Sequence, residues 1–262
     1  MAITFNKPKK LFLLDQDGTL YKGKHLFPYT KDFLKSIRDS GANYLFITNN
    51  SSRSTKDYVE KMAKFGIKAK EEDFYTSSHA TMDYIKHYHP DLPVYLVGTM
   101  ALSREFLENG IKLTDKVSEA KVAVLSYDTE LNYTKLTALC DILANKDAIY
   151  LATNPDLVCP TEDGYLPDCG SFAMMIYNAT GRNPLFLGKP RKLFVDSILE
   201  HYNLKPEDLV IVGDRLYTDI AMGTNSAVDT ILVLSGEATL KDVETSPYKP
   251  TYIANSVFDI FN

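Results

Sequence analysis

The sequence predicts an α/β protein built on a parallel sheet, and three observations carry that prediction. Short apolar runs of strand length recur along the chain. Between them lie longer segments whose apolar residues repeat at helical spacing. Several of the runs end in polar groups able to do chemistry. Alternation of this kind lays helices over the faces of a parallel sheet.

Leu11-Phe12-Leu13-Leu14 is the first run, and it leads into Asp15-Gln16-Asp17-Gly18-Thr19-Leu20. It reads as a buried strand, although periodicity alone leaves a buried helix open. Gly18 stands where a chain leaving a strand needs an unusual backbone angle. Two carboxylates therefore sit at the carboxyl end of a central strand, the edge at which open parallel sheets bind ligands. Phe33, Leu34 and Ile37 predict a helix from Tyr29 to Ser40, stopped by Gly41. Tyr44-Leu45-Phe46-Ile47 is a second strand, ending in Thr48-Asn49-Asn50-Ser51. Ser52 or Ser54 then opens a helix carrying Tyr58, Val59, Met62 and Phe65, closed by Gly66.

The middle of the chain repeats the pattern. Strands are expected at Val94–Val97, Val122–Leu125 and Ala148–Ala152, with helices at Met100–Asn109 and Tyr133–Ala144. Asn154 to Gly170, rich in Pro, Asp and Gly, reads as a long irregular functional loop, after which Phe172 to Thr180 resumes a helix. The last third returns to the opening pattern. Leu185-Phe186-Leu187 leads into Gly188-Lys189-Pro190, Leu209–Val212 into Gly213-Asp214-Arg215, and Thr230–Leu234 into Ser235-Gly236. One internal rhyme is ambiguous. Both Ile47-Thr48-Asn49 and Ala152-Thr153-Asn154 close an apolar run, and pattern alone does not say which belongs to the catalytic sheet.

Composition bounds the partners. At 262 residues, 45% apolar and 24% charged, the chain can bury a substantial core in one large or two small units. A net charge of −5 without any basic block argues against a nucleic-acid partner. No apolar run has the length of a membrane span, and Met1 to Lys10 lack the layout of a signal peptide. Three cysteines, Cys140, Cys159 and Cys169, without metal spacing, fit a reducing compartment, so a cytoplasmic location is expected.

If the strands are parallel neighbours, Asp15, Asp17, Thr48, Asn49, Lys189, Asp214 and Asp219 meet at one edge. Clustered carboxylates repel unless a cation lies among them, and hard oxygen ligands suit Mg²⁺. A lysine, a threonine hydroxyl and free backbone N–H groups suit a phosphate. Together they point to phosphoryl transfer, in which one carboxylate serves as nucleophile and a second as general acid and base. Taken singly each group is ordinary: Asp-Gly commonly starts a turn, Gly-Lys-Pro reads as an exposed loop, and Asp219 as a helix N-terminal charge.

The series Asp15-Gln16-Asp17-Gly18-Thr19-Leu20, Thr48, Lys189, and Gly213-Asp214 with Asp219 resembles the four motifs of the haloacid dehalogenase (HAD) superfamily. More narrowly, Phe46–Asn50, Gly188-Lys189-Pro190, Gly213–Asp219 and Leu232–Gly236 resemble its NagD / p-nitrophenylphosphatase branch, and the likeness runs through nearly the whole chain. The resemblance implies a Rossmann-like parallel-sheet core formed by 1–81 and 185–262, with an inserted α/β cap of the C2 type at 82–184. It makes Thr48, rather than Thr153, a core phosphate ligand. It also implies Asp15 as nucleophile and Asp17 as acid/base with its carbonyl on the metal. Thr48, Asn49, Asn50 and Lys189 would hold the phosphate. Asp15, Asp17, Asp214 and Asp219 would form the Mg²⁺ site, with Asp219 acting directly or from behind the ligands. The 154–170 loop would face the leaving group of a small phosphorylated metabolite. Caps of this type often pair, which leaves a homodimer open. Gln16 departs from the apolar residue usual in relatives, and Asp168 from their Gly or Ala.

Rival functions lack their signatures. Gly-x-Gly-x-x-Gly of a dinucleotide enzyme and the P-loop of a kinase are both absent, and a receiver domain would be about half this length. A phosphomutase of the same superfamily shares the first chemical step. A non-catalytic phosphometabolite-binding module would be expected to have lost Asp15, Asp17 or Lys189.

Overall fold

The computed structural model describes residues 2–161 and 164–262. In chain order it contains β1 (Leu11–Leu14), a small ribbon β2 (Tyr21–Lys22) and β3 (His25–Leu26), α1 (Thr30–Asp39), β4 (Asn43–Thr48), α2 (Thr55–Lys64), β5 (Phe74–Thr76) and α3 (Ser77–Tyr88). Next come β6 (Val94–Val97), α4 (Met100–Glu108), β7 (Val122–Leu125), α5 (Tyr133–Ala144), β8 (Ile149–Ala152), β9 (Val158–Thr161), β10 (Gly164–Pro167), α6 (Cys169–Thr180) and β11 (Leu185–Phe186). The chain finishes with α7 (Lys192–Tyr202), β12 (Leu209–Gly213), a π-helical turn (Leu216–Ile220), α8 (Ala221–Ser226), β13 (Asp229–Val233), α9 (Leu240–Thr245) and β14 (Tyr252–Ala254). Among the described residues no helix is long and apolar enough to cross a membrane.

The first of two compact units comprises the chain up to Thr48, Lys61–Tyr75 and Lys189–Asn262. Its sheet has the order β14-β13-β12-β1-β4-β5. β1 is central and lies parallel to both neighbours, with Leu14 opposite Val212 on one side and Phe46 on the other. The chain moves outward from β1 in one direction through β4 and β5, then in the other through β12, β13 and β14. That reversal makes the carboxyl end of β1 a topological switch point, the place where open α/β sheets bind their ligands. All four residues of β1 are buried, as a strand covered on both faces must be. The register brings Asp15, Thr48 and Asp214 to one edge, because each follows or ends a strand aligned with β1.

The second unit, Asn49–Glu60 with Thr76–Gly188, has a parallel four-stranded sheet in the order β11-β8-β7-β6. Ala123, Leu125, Leu139, Tyr150 and Ala173 belong to its core.

Two expectations are corrected here. Leu185–Phe186, read as opening the return to the core, pairs with β8 in the second unit's sheet. A Leu-Phe pair suits either sheet edge, so the pattern could not choose between them. The stretch from Asn154 to Gly170, read as irregular, contains the antiparallel ribbon β9–β10 and the first turn of α6. Its residues Glu162 and Asp163 lie outside the described residues. Pro160 and Pro167 sit in this ribbon, which is not part of a larger sheet and tolerates their missing N–H groups. The second unit takes in residues 49–60, 76–81 and 185–188 as well. Hydrogen bonds account for this. The Ser51 hydroxyl accepts from Tyr127 N–H at 2.9 Å and shares a hydrogen with Thr153 Oγ1 at 2.9 Å. Ser77 Oγ donates to the Asn49 carbonyl, and Gly188 N–H donates to that of Thr153.

Candidate active site

Asp15 is the first residue past β1 and is held by its own N–H donating to the Val212 carbonyl at 2.9 Å. The chain then turns sharply. The Gln16 carbonyl accepts from Thr19 and Leu20 N–H, and Gly18, at φ +88°, donates to the Tyr21 carbonyl. Any other residue at 18 would be strained, and its Cβ would lie 2.3 Å from Asp214 Oδ2. Gln16 is buried, and its Oε1 accepts from Tyr21 Oη at 3.0 Å, so the residue that departs from the family pattern serves the turn.

Asp214, one residue beyond β12, is 2% exposed. Its Oδ2 accepts from Glu237 N–H at 2.8 Å and its carbonyl from Ala238 N–H at 3.1 Å. Asp219 lies wholly buried on the π-helical turn, its Oδ2 accepting from Arg215 N–H and Thr218 Oγ1, both at 3.3 Å. Lys189 is buried between acids, donating to Asp15 Oδ1 at 2.5 Å and to Asp219 Oδ1 at 2.8 Å. Asp15, Asp214 and Asp219 each offer a carboxylate oxygen within 4.8 Å of the others.

These acids burden one another. Burial pushes Asp15 up to about 6, with Asp219 adding and Lys189 opposing. Burial pushes Asp214 further, to about 8, reinforced by Asp15 and Asp219. Burial by itself would lower Lys189, but Asp15 and Asp219 outweigh it and hold its ammonium charged well above the ordinary range.

Asp214 Oδ1 is buried and has no hydrogen-bond partner among the described residues. An unpaired buried carboxylate oxygen is costly to leave unmade. A hard divalent cation among Asp15, Asp214 and Asp219 would supply the missing partner and draw the raised acids back into their charged forms, so the donor set fits one.

The other expected residues lie as follows. Asp17 is exposed, its Oδ1 accepting from Gly23 N–H at 3.4 Å, and it stands outside the three-carboxylate cluster. Thr48 is half-buried at the end of β4. Asn49 and Asn50 form hydrogen bonds within the second unit. Asn49 Nδ2 donates to Asp156 Oδ2 at 3.0 Å, and Asn50 Oδ1 accepts from Ser52 N–H and Oγ. Glu237 is not named by reading the chain, and Arg215, Ser235 and Gly236 enter it only as parts of motifs, with no role assigned. Ser235 Oγ donates to the Gly18 carbonyl at 2.8 Å, and a Cβ on Gly236 would lie 2.0 Å from Asp214 Oδ2. Arg215 and Ser235 carry a signal like that of Asp15 and Asp214, a polar residue within two positions of a buried strand's end.

Comparison with known proteins agrees with this geometry. A family described as haloacid dehalogenase-like hydrolase matches residues 12–112, and one described as HAD-hydrolase-like matches residues 186–260. The chain is 34% identical over 251 residues to the 5'-nucleotidase YutF of Bacillus subtilis (strain 168), covering 96% of this chain and 97% of that protein. It is 34% identical to the acid sugar phosphatase of Staphylococcus aureus (strain MRSA252), covering 94% of each. The crystal structure of a 4-nitrophenylphosphatase from Thermotoga maritima superposes with a TM-score of 0.91 at 36% identity, covering 96% of each chain. NagD from E. coli K-12 gives 0.89 at 31% identity, covering 97% of this chain and 99% of that one. The chain belongs to the haloacid dehalogenase-like hydrolases. Within them it is a phosphoric monoester hydrolase of the NagD / p-nitrophenylphosphatase type, acting on small phosphate monoesters.

Proposed function

We propose that hydrolysis runs through a phosphorylated Asp15, at a Mg²⁺ site built on Asp214. The carrying observation is the bare, buried oxygen of Asp214 beside an Asp15 that Lys189 grips at 2.5 Å. An Asp15 carboxylate oxygen forms the bond to phosphorus while the ester P–O bond breaks, and Asp17 gives its proton to the departing oxygen. Asp17, now a carboxylate, takes a proton from water as the water oxygen bonds to phosphorus and the Asp15–phosphorus bond breaks. Free phosphate leaves and both acids return to their starting states. The exposure of Asp17 favours this shuttle, since it must exchange protons with leaving group and water.

Asp15 and Asp214, with the Asp17 carbonyl, would hold Mg²⁺, which when bound would supply charge that offsets repulsion between Asp15 and a dianionic phosphoryl group. Asp219 already has both oxygens engaged, which favours a supporting role in which it steers Lys189. Lys189 and Thr48, with the Asn49–Asn50 segment, hold the phosphoryl oxygens. The second unit serves as the cap, and its 154–170 segment selects the leaving group. Nucleotides, sugar phosphates and aryl phosphates are the substrate classes that the relatives' names suggest for trial. A cytoplasmic location and pairing through the cap complete this reading.

The test is phosphate release from 4-nitrophenyl phosphate by Asp15→Asn. Turnover should disappear while the fold persists, and near wild-type release would refute the covalent route. Release of inorganic phosphate also separates hydrolysis from the mutase alternative, which would return an isomerised phosphate ester, and from a binding module, which would release none.

A further inference from the structure

Glu237 meets the segment carrying Asp214 at three points. Its backbone N–H donates to Asp214 Oδ2 at 2.8 Å. Its carboxylate is ion-paired with Arg215, Oε2 lying 3.0 Å from a buried Nε whose N–H makes no hydrogen bond among the described residues, and it accepts from Tyr217 Oη at 3.2 Å. Nothing in phosphoryl transfer itself requires an acid here, because the Glu237 carboxylate is absent from the Asp15, Asp214 and Asp219 cluster. Its side chain is 46% exposed, and that of Arg215 is 20% exposed. The loop bearing Glu237 is otherwise secured by Ser235 Oγ on the Gly18 carbonyl and by Ala238 N–H on the Asp214 carbonyl. Gly236, between them, leaves the space that the Asp214 carboxylate fills. Asp214 is therefore aimed by this loop: one of its oxygens is tied to Glu237 N–H, and the other is left bare and inward.

We propose that Glu237 and Arg215 form a clamp that orients Asp214 and thereby sets the affinity of the site for a divalent cation. Glu237 is a positioning residue and touches neither metal nor substrate. The clamp presupposes that Asp214 holds a cation, as under the proposed function. It competes with a simpler account in which Arg215 is only a nearby positive charge. The two accounts differ in sign. A bare positive charge repels a second cation, so removing it should tighten metal binding. Removing half of a clamp should weaken binding, because supporting partners of metal ligands usually matter at the level of about 10- to 100-fold in affinity.

Titration calorimetry of Mg²⁺ into metal-free protein, without substrate, reads this directly. Glu237→Ala should bind Mg²⁺ about 10-fold more weakly, and Arg215→Met should be weakened by a similar factor. The double variant should be no weaker than either single one, since both break the same link. Glu237→Gln keeps an acceptor oxygen and should stay within about threefold of wild type, the scale of an exposed charge pair. Tighter binding in Arg215→Met, or unchanged binding in Glu237→Ala, overturns the clamp. Asp214→Asn in the same titration separates the two claims. Mg²⁺ binding retained there would overturn the metal site itself, whereas binding lost there with Glu237→Ala unaffected would overturn the clamp alone.

Discussion

Lys189 is the residue on which the acidic groups lean most. It is the buried cation bonded to both Asp15 and Asp219. Lys189→Met would leave those acids facing each other, and removal of one such preorganised donor costs on the order of 10²- to 10³-fold in rate. A loss of that size in kcat/KM on 4-nitrophenyl phosphate is expected, and Lys189→Arg should not restore it, because a planar guanidinium does not fit a point-charge socket. The raised acids give a second expectation. In metal-free protein Asp15 and Asp214 keep their protons to about 6 and about 8, against 3.8 for the ordinary carboxyl. Across that window the folded state binds more protons than the unfolded one, so stability falls as pH rises. Below 3.8 both states are protonated and the contribution no longer changes. Melting temperatures in EDTA should therefore drop, relative to samples with Mg²⁺, as pH climbs from about 4 to about 8. Parallel profiles with and without Mg²⁺ would contradict the pairing of these acids with a cation.

The elements matter through their ends. β1, β12 and β13 are apolar runs, but the loops beyond them are packed so closely that side-chain volume is excluded. Gly236→Ala puts a Cβ 2.0 Å from Asp214 Oδ2, so the carboxylate or the loop must shift. A loss of about 1–3 kcal/mol in urea unfolding is expected from overpacking of this kind. Mg²⁺-dependent activity should fall with it, and an unperturbed variant would show that the loop has slack. This close fit explains what could be read from the chain alone. β1, β4, β7, β8 and β12 were legible because buried parallel strands are continuous apolar runs, and Asp15, Asp214 and Lys189 because they follow such runs or resemble family motifs. β5 and β14 were missed, being three-residue strands at the sheet edges with too little pattern to register. The β9–β10 ribbon was hidden by its prolines, which mimic a loop. The role of Glu237 was hidden because its carboxylate meets Arg215 and Tyr217, some twenty positions earlier in the chain, and no local pattern marks such a pairing.

At the scale of the molecule, both units rest on contacts between segments distant in sequence. In the second unit the Ser51 hydroxyl is buried and serves Tyr127 N–H and Thr153 Oγ1 together. Ser51→Ala strands that N–H, and an unsatisfied buried donor costs about 1–3 kcal/mol. Denaturant unfolding should register this loss, and a change below measurement error would mean that the segment is held by other means. In the first unit the sheet closes only when β12–β14 return to flank β1, so the Asp15–Asp214 pair cannot exist until residues some two hundred positions apart have met.

The boundary between the units follows Thr48 and precedes Lys189, two residues proposed above to hold the phosphate. Transplanting only 82–184 from a relative, as a chimera designer would attempt in order to exchange substrate preference, would therefore import an incomplete module. The newcomer would have to settle on native Asn49–Glu60, whose Ser51 and Asn49 are matched to Tyr127, Thr153 and Asn154 of the original. A chimera that also carries the donor's equivalent of 49–60 should fold, whereas the single-segment graft should be recovered in poor yield or without activity.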